Sequence, residues 1–199
     1  MNILSNVFLG TTRSLMLVSL LAFASAATAN NLTPLVDDFS DEINNRLSQP
    51  RQFINDTVAG GNTTVQQMVS DGIIRVKGDI VPPRGQPGWA SSVLPLAAVG
   101  INYDASQYQG VRLLVKLNKG NLTLSANSNE ITNFDFHSAP VVVTSDGEFH
   151  EVKVAFASMK RGWSEQTALN TATLNSLSVI AYSLQPAGFD FELREVSFY

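Results

Sequence analysis

The chain has 199 residues, with 13 basic and 17 acidic side chains and no cysteine. The missing thiols exclude disulfides, thiol catalysis and thiolate metal sites. The acidic balance, with lysines and arginines scattered singly, excludes nucleic acid as a partner.

The first residues read as a secretory leader. Arg13 is its one basic residue, an apolar run follows from Leu15 to Ala24, and Ala27-Thr28-Ala29 supplies a small-x-small cleavage pattern. The run is shorter than the about 20 apolar residues a membrane-spanning helix needs. Cleavage is expected after Ala29, with Ala26 as the second choice and an uncleaved anchor as the alternative. Residues 1–29 are therefore assigned to a signal peptide and residues 30–199 to one domain, secreted or periplasmic, with no transmembrane segment after the leader. Without Arg13 the remaining chain carries 12 basic and 17 acidic groups.

Asp37, Asp38, Asp41 and Glu42 form the one dense charge cluster, which is either a solvated turn or a set of oxygen ligands for a hard cation such as calcium. Asp38 and Asp41 are the candidate metal ligands, and no other cofactor is expected. The string from Asn55 to Thr63 contains adjacent glycines, Gly60 and Gly61, which permit positive φ and close backbone approach. Within it Asp56 can accept backbone N–H bonds from its own loop.

Beyond this loop, apolar residues recur at period two in short stretches separated by Gly, Pro, Asn, Asp and Ser clusters, the pattern of an all-β domain. Strands are predicted at 73–80, 89–94, 111–117, 122–126, 141–144, 149–156, 177–184 and 189–198. Val111, Leu113, Val115 and Leu117 share one face of their strand, and Gly120-Asn121 predicts a tight turn into an antiparallel hairpin with Leu122, Leu124 and Ala126. The proline-rich stretch 82–88 is predicted as a loop, and 164–176 as a segment with one short helical turn. Phe189, Phe191 and Leu193 lie on one parity but Val196 and Phe198 on the other, which calls for a β-bulge near Arg194 and Glu195. Phe149 against Val152, Val154 and Phe156 shows the same slip. Bent long strands suit a curved sandwich or jelly roll.

Catalytic chemistry is sparse. No Gly-x-Ser-x-Gly elbow occurs, His137 and His150 are the two imidazoles, and neither a zinc-ligand spacing nor a phosphate-binding glycine loop is present. Asp56, Asp104 and Asp190 supply carboxylates for a glycoside hydrolase if they converge; otherwise they cap turns and face water. Asn31, Asn55, Asn62 and Asn121 head glycosylation sequons that matter in a eukaryotic host alone.

Several short pieces also follow one another in a telling order. They are Asp38-Phe39, Asp56-x-Val58-x-Gly60-Gly61, Gly88-Trp89-Ala90-Ser91, Asp104-x-Ser106-x-Tyr108-x-Gly110, Arg161-Gly162 and Phe189-x-Phe191-x-Leu193-x-x-Val196. In this order the chain resembles the complex I intermediate-associated protein family over nearly all of its length after the leader. The resemblance implies a galactose-binding-like jelly-roll β-sandwich, similar to carbohydrate-binding modules, and an assembly role rather than catalysis. Two departures stand out: Ala59 replaces the family's methionine before the glycines, and Phe53 is the nearest aromatic residue where a tryptophan is usual.

Shallow sugar sites use an aromatic face against the ring and polar groups for the hydroxyls. Trp163, in a polar stretch with Arg161, is the first candidate, and Trp89, Tyr103 and Tyr108 are the other aromatic residues considered. The ligand-binding set is Trp163, Arg161, Asp56, Gly60, Gly61 and Trp89. The expected function is a non-catalytic exported binding module for a carbohydrate or a protein partner. The alternatives are an assembly or chaperone-like factor for a membrane-associated complex and, last, a carboxylate-based glycoside hydrolase.

Overall fold

In a computed structural model, which describes residues 34–199, two antiparallel sheets face each other across an apolar interior. The strands in chain order are β1 (Leu35–Asp37), β2 (Gln52–Asn55), β3 (Thr64–Ser70), β4 (Ile73–Ile80), β5 (Gly88–Pro95) and β6 (Gly110–Lys119). They continue with β7 (Leu122–Ser128), β8 (His137–Val141), β9 (His150–Ala155), β10 (Leu174–Ser183) and β11 (Ala187–Phe198). A six-stranded sheet has the order β3-β4-β11-β6-β9, with β1 also on β11, and a five-stranded sheet has the order β2-β5-β10-β7-β8. The leader assigned to residues 1–29 lies outside the described residues. No helix among the described residues is long and apolar enough to cross a membrane.

Period-two burial builds the interior. Leu113, Val115, Phe189, Phe191 and Leu193 enter it from the six-stranded sheet, and Leu94, Leu122, Leu124, Leu177 and Val179 from the five-stranded one, all essentially without solvent contact. Burying each such side chain contributes about 1.5–3 kcal/mol. The parity change in β11 is a bulge: register with β6 shifts between Leu193 and Glu195, and Val196 and Phe198 are buried beyond it. One extra residue restores the inward facing of the chain.

Three sequence expectations need correction. β6 and β7 are not a hairpin, because β6 pairs with β11 and β9 whereas β7 pairs with β10 and β8. The chain crosses between sheets at Gly120, which has φ 96°. Two apolar faces that must both be buried are satisfied equally well side by side or across the sandwich, so parity could not distinguish the cases. The strand expected at 141–144 is instead β8, His137–Val141. The bulge expected after Phe149 is absent: β9 pairs with β6 from His150 to Ala155 without a register shift. Phe149 precedes that strand and lies beneath two cations, Lys116 at 5.3 Å and Arg194 at 4.4 Å from its ring centroid. The helical turn expected within 164–176 is present, as a 3-10 turn at Thr171–Thr173.

Three strands were missed, β1, β2 and β3. The turn between β3 and β4 is Asp71-Gly72, with φ 56° and 68°, the positive pair that a two-residue hairpin of the primed type requires.

Candidate ligand-binding site

Asp135 organises the most constrained surface loop of the protein. Its side chain is 2% exposed, and its carboxylate accepts three consecutive backbone N–H groups, from Gly162 at 2.7 Å, Trp163 at 3.0 Å and Ser164 at 2.6 Å. Successive N–H groups converging in this way form an anion-binding nest. Burial pushes the Asp135 carboxyl up, but the bonds from the Ser164 side chain and from the Trp163, Gly162 and Ser164 backbone outweigh it and bring the pKa down to about 2.

Neighbouring polar groups tighten the loop further. Arg161 donates through Nε to the Asp135 carbonyl at 3.2 Å and through Nη2 to Asn133 Oδ1 at 3.1 Å. Asn133 Nδ2 donates to Ser164 Oγ at 2.9 Å, and Gln166 both accepts from the Arg161 N–H and donates to the Arg161 carbonyl. On the inner side, His137 Nε2 donates to the Thr167 carbonyl at 2.8 Å. His137 is thus a buried structural residue at the start of β8.

From this rigid base Trp163 projects into solvent with 75% exposure. Phe134, next to Asp135, is also exposed and holds a left-handed backbone with φ 62°, a conformation that costs a bulky residue about 1–2 kcal/mol. Arg161, by contrast, has a side chain only 12% exposed and serves the loop rather than a ligand.

The Asp56 loop is a second constrained element. Asp56 is fully buried, and its carboxylate accepts from the Thr63 N–H at 3.1 Å, the Thr63 hydroxyl at 2.6 Å and the Trp89 N–H at 3.2 Å. Gly60 has φ 85° and closes the 3-10 turn that Asn55 caps. A Cβ on Gly61 would stand 2.3 Å from the Asp56 carboxyl group. Asp56, Gly60 and Gly61 therefore shape the chain and present no functional group outward. Trp89 is half-buried at the start of β5, directly opposite Tyr182 on β10.

The residues expected in one site fall in two places. Asp56, Gly60 and Gly61 follow β2, at one edge of the five-stranded sheet, whereas Lys160, next to Arg161 and Trp163, bridges to Ser138 on β8 at the other edge. Four strand spacings separate those edges, roughly 19 Å at about 4.8 Å each. Tyr103 and Tyr108 leave the candidate list because both stack on Phe198, at 5.5 Å and 4.9 Å between centroids. Burial and the neighbouring Tyr108 push the Tyr103 hydroxyl up to about 12.

Asp38 and Asp41 are not brought together as ligands. Asp38 Oδ1 accepts from the Ser40 N–H and hydroxyl, and Asp41 Oδ1 from the N–H groups of Ile43 and Asn44. Asp37 is withdrawn into a buried fork with Arg51. Among the described residues no group of three or more His, Asp or Glu side chains is placed to hold a metal ion. The three carboxylates considered for hydrolysis also sit on separate elements: Asp56 in its turn, Asp104 bonded to the Ser106 N–H, and Asp190 on β11 beside Asn118.

Sequence reasoning missed one buried polar cluster. On the outer face of the five-stranded sheet, Asn127 Nδ2 donates to Ser176 Oγ at 2.9 Å and Ser178 Oγ at 2.8 Å, and Ser125 Oγ donates to Asn127 Oδ1 at 2.7 Å. All four uncharged side chains are buried and satisfy one another's hydrogen bonds. Their parity was visible in β7, where Ser125 and Asn127 alternate with Leu124 and Ala126.

Comparison with known proteins agrees with this architecture. Residues 41–193 match the model of the family described as Complex I intermediate-associated protein 30. The family 11 carbohydrate-binding module of the cellulosomal cellulase Lic26A-Cel5E of Clostridium thermocellum superposes with a TM-score of 0.55 at 14% identity, over 82% of this chain and 94% of that one. The Clostridium thermocellum module in complex with a β-1,3-1,4-mixed-linked tetrasaccharide gives 0.54 at 15% identity, over 80% and 94%. The agarase AgWH50C gives 0.52 at 9% identity, over 82% of this chain but 24% of the enzyme. At such identities the likeness concerns the fold. No curated protein matches the chain.

Proposed function

The chain belongs to the Complex I intermediate-associated protein 30 family, and on that premise we propose that it is an exported, non-catalytic module that binds carbohydrate. The observation that carries this reading is Trp163. A tryptophan left three-quarters exposed forgoes much of the about 1.5–3 kcal/mol that burial of a large apolar side chain contributes. Here its backbone is also held by a carboxylate that accepts three N–H groups. A flat aromatic face on a preorganised loop loses little entropy when a sugar ring stacks on it. Asn133, Ser164 and Gln166 add amide and hydroxyl groups to the same loop. The fold shared with carbohydrate-binding modules supports the same reading.

Export is proposed from the leader pattern of residues 1–29. Fractionation with N-terminal sequencing should find the protein outside the cytoplasm, beginning at Asn30. For binding, the protein and its Trp163→Ala variant are applied to an array of neutral and charged glycans. Capture of a glycan by the parent chain and its loss in the variant supports the reading, and an empty array for the parent chain removes it.

Family membership favours a second reading, an assembly factor for a membrane-bound complex. A deletion strain in which the envelope complexes assemble normally would eliminate it.

A further inference from the structure

We propose that β3 is a self-recognition edge through which two copies of this chain pair, joining their six-stranded sheets into one continuous sheet across a two-fold axis. An edge strand presents unpaired N–H and C=O groups, and soluble proteins blunt such edges by shortness, charge, proline or a covering segment. Among the described residues, three of the four strands that end the two sheet orders are blunted. β2 is four residues long, β9 carries Glu151 and Lys153, and β8 contains Pro140 and is bridged at Ser138 by Lys160. The fourth, β3, is seven residues long, pairs among the described residues with β4 alone and reads Thr-Val-Gln-Gln-Met-Val-Ser, with no charge and no proline.

The order of those residues selects the occupant. The segment is nearly palindromic about Gln67. Antiparallel pairing with a second copy places Gln67 opposite the partner's Gln67, Val65 opposite the partner's Val69, Gln66 opposite the partner's Met68 and Thr64 opposite the partner's Ser70. Each pair joins residues of like size, and the β-branched pairs are favourable cross-strand neighbours. A surface that complements itself in this way defines an isologous interface, the arrangement of a closed dimer. Gln66, Gln67 and Met68, at the centre, are all exposed.

Flanking charges at the two ends of this edge are of both signs. On the adjacent strand Asp79 pairs with Thr64, whereas Arg75 lies near the opposite end and donates to the Ser70 hydroxyl at 3.0 Å. The two-fold therefore brings the Arg75 end of one copy beside the Asp79 end of the other. Asp71, in the turn beyond Ser70, is the other charge at that end. The inference is independent of the carbohydrate reading, since β3 belongs to the other sheet from the one bordered by Trp163. Two linked sugar sites would add avidity to any repeated glycan.

The test is sedimentation of the purified protein over a concentration series, alongside Gln67→Lys and Gln67→Glu. Both substitutions are at an exposed position, and circular dichroism and thermal midpoints establish that the variants remain folded. The parent chain should sediment at twice the monomer mass. Each variant alone should be monomeric, because like charges then meet on the axis, and an equimolar mixture of the two variants should dimerise again. A monomeric parent chain, a dimer unaffected by Gln67→Lys, an open-ended polymer, or a mixture that stays monomeric overturns the proposal.

Discussion

The backbone N–H of Trp163 donates to the carboxylate of Asp135 at 3.0 Å, joining the most exposed indole of the protein to one of its most buried acids. The pairing joins two roles that lie 28 residues apart in the chain: Asp135 holds the loop, and Trp163 faces solvent.

Asp135→Asn should therefore loosen the loop without touching the core. An amide offers one acceptor oxygen where the carboxylate offers two, and charge-assisted bonds contribute about 1.5–3 kcal/mol each. A loss of about 2 kcal/mol in urea unfolding is expected on that basis. The wild-type pH dependence follows from the same group. Its folded value, about 2, lies below the ordinary 3.8, so its stabilisation is fully present above about pH 4 and is lost as pH falls through about 2. Urea midpoints between pH 5 and pH 2 should fall less steeply in the variant.

Trp163→Ala should leave stability almost unchanged, within about 0.5 kcal/mol, as expected for an exposed side chain without buried contacts. Isothermal titration with a glycan identified on the array should register a loss of affinity of at least about tenfold, the equivalent of about 1.4 kcal/mol. Unchanged affinity would move the binding surface away from this loop.

Arg51 and Asp37 form a buried fork, with Nε to Oδ2 at 2.6 Å and Nη2 to Oδ1 at 2.7 Å, and the guanidinium lies 5.0 Å from the centroid of Phe39. Arg51→Met leaves the Asp37 carboxylate buried and unpaired, and should cost about 3–5 kcal/mol. The double variant Arg51→Met with Asp37→Leu should recover part of this loss in a thermal or urea melt. A single variant as stable as the parent would show that the ion pair does not hold the N-terminal segment.

Gly61→Ala places a Cβ where the Asp56 carboxyl group stands, at 2.3 Å. Displacing a bonded acid from the interior should destabilise the protein by about 1–3 kcal/mol. Gly85→Ala is the control. Its Cβ meets nothing within 4 Å, but φ 77° imposes backbone strain alone, so its cost should be smaller, about 1 kcal/mol.

Calcium should have little influence. The Oδ1 atoms of Asp38 and Asp41 already accept N–H and hydroxyl groups of their own turns. Equal thermal midpoints in calcium and in a chelator are expected, and a rise of several degrees with calcium would return the cluster to the list of metal sites.

Much of this architecture was legible from local pattern. Ile73–Ile80 was read to its exact ends, and the parity change at Leu193 and Glu195 was readable as a bulge, because side-chain alternation is a property of neighbouring residues. The Asp71-Gly72 turn was equally legible, yet β3 was overlooked because Gln66, Gln67 and Met68 interrupt its apolar alternation. Of the site, the prominence of Trp163 was readable from its polar surroundings. Its anchor, Asp135, was not, since nothing in a sequence shows which of many aspartates will meet three N–H groups from a segment 27 to 29 residues away.

By itself the sequence determined that the domain is built of short strands, which side chains of most of them turn inward, and that thiol chemistry is absent. The tertiary structure alone decided that β6 and β7 belong to opposite sheets, that Asp56 and Trp163 stand at opposite edges, and that β3 is left open. Facing is set by each residue's immediate neighbours, whereas sheet membership and edge position depend on contacts between segments far apart in the chain, where several pairings bury the same apolar groups equally well.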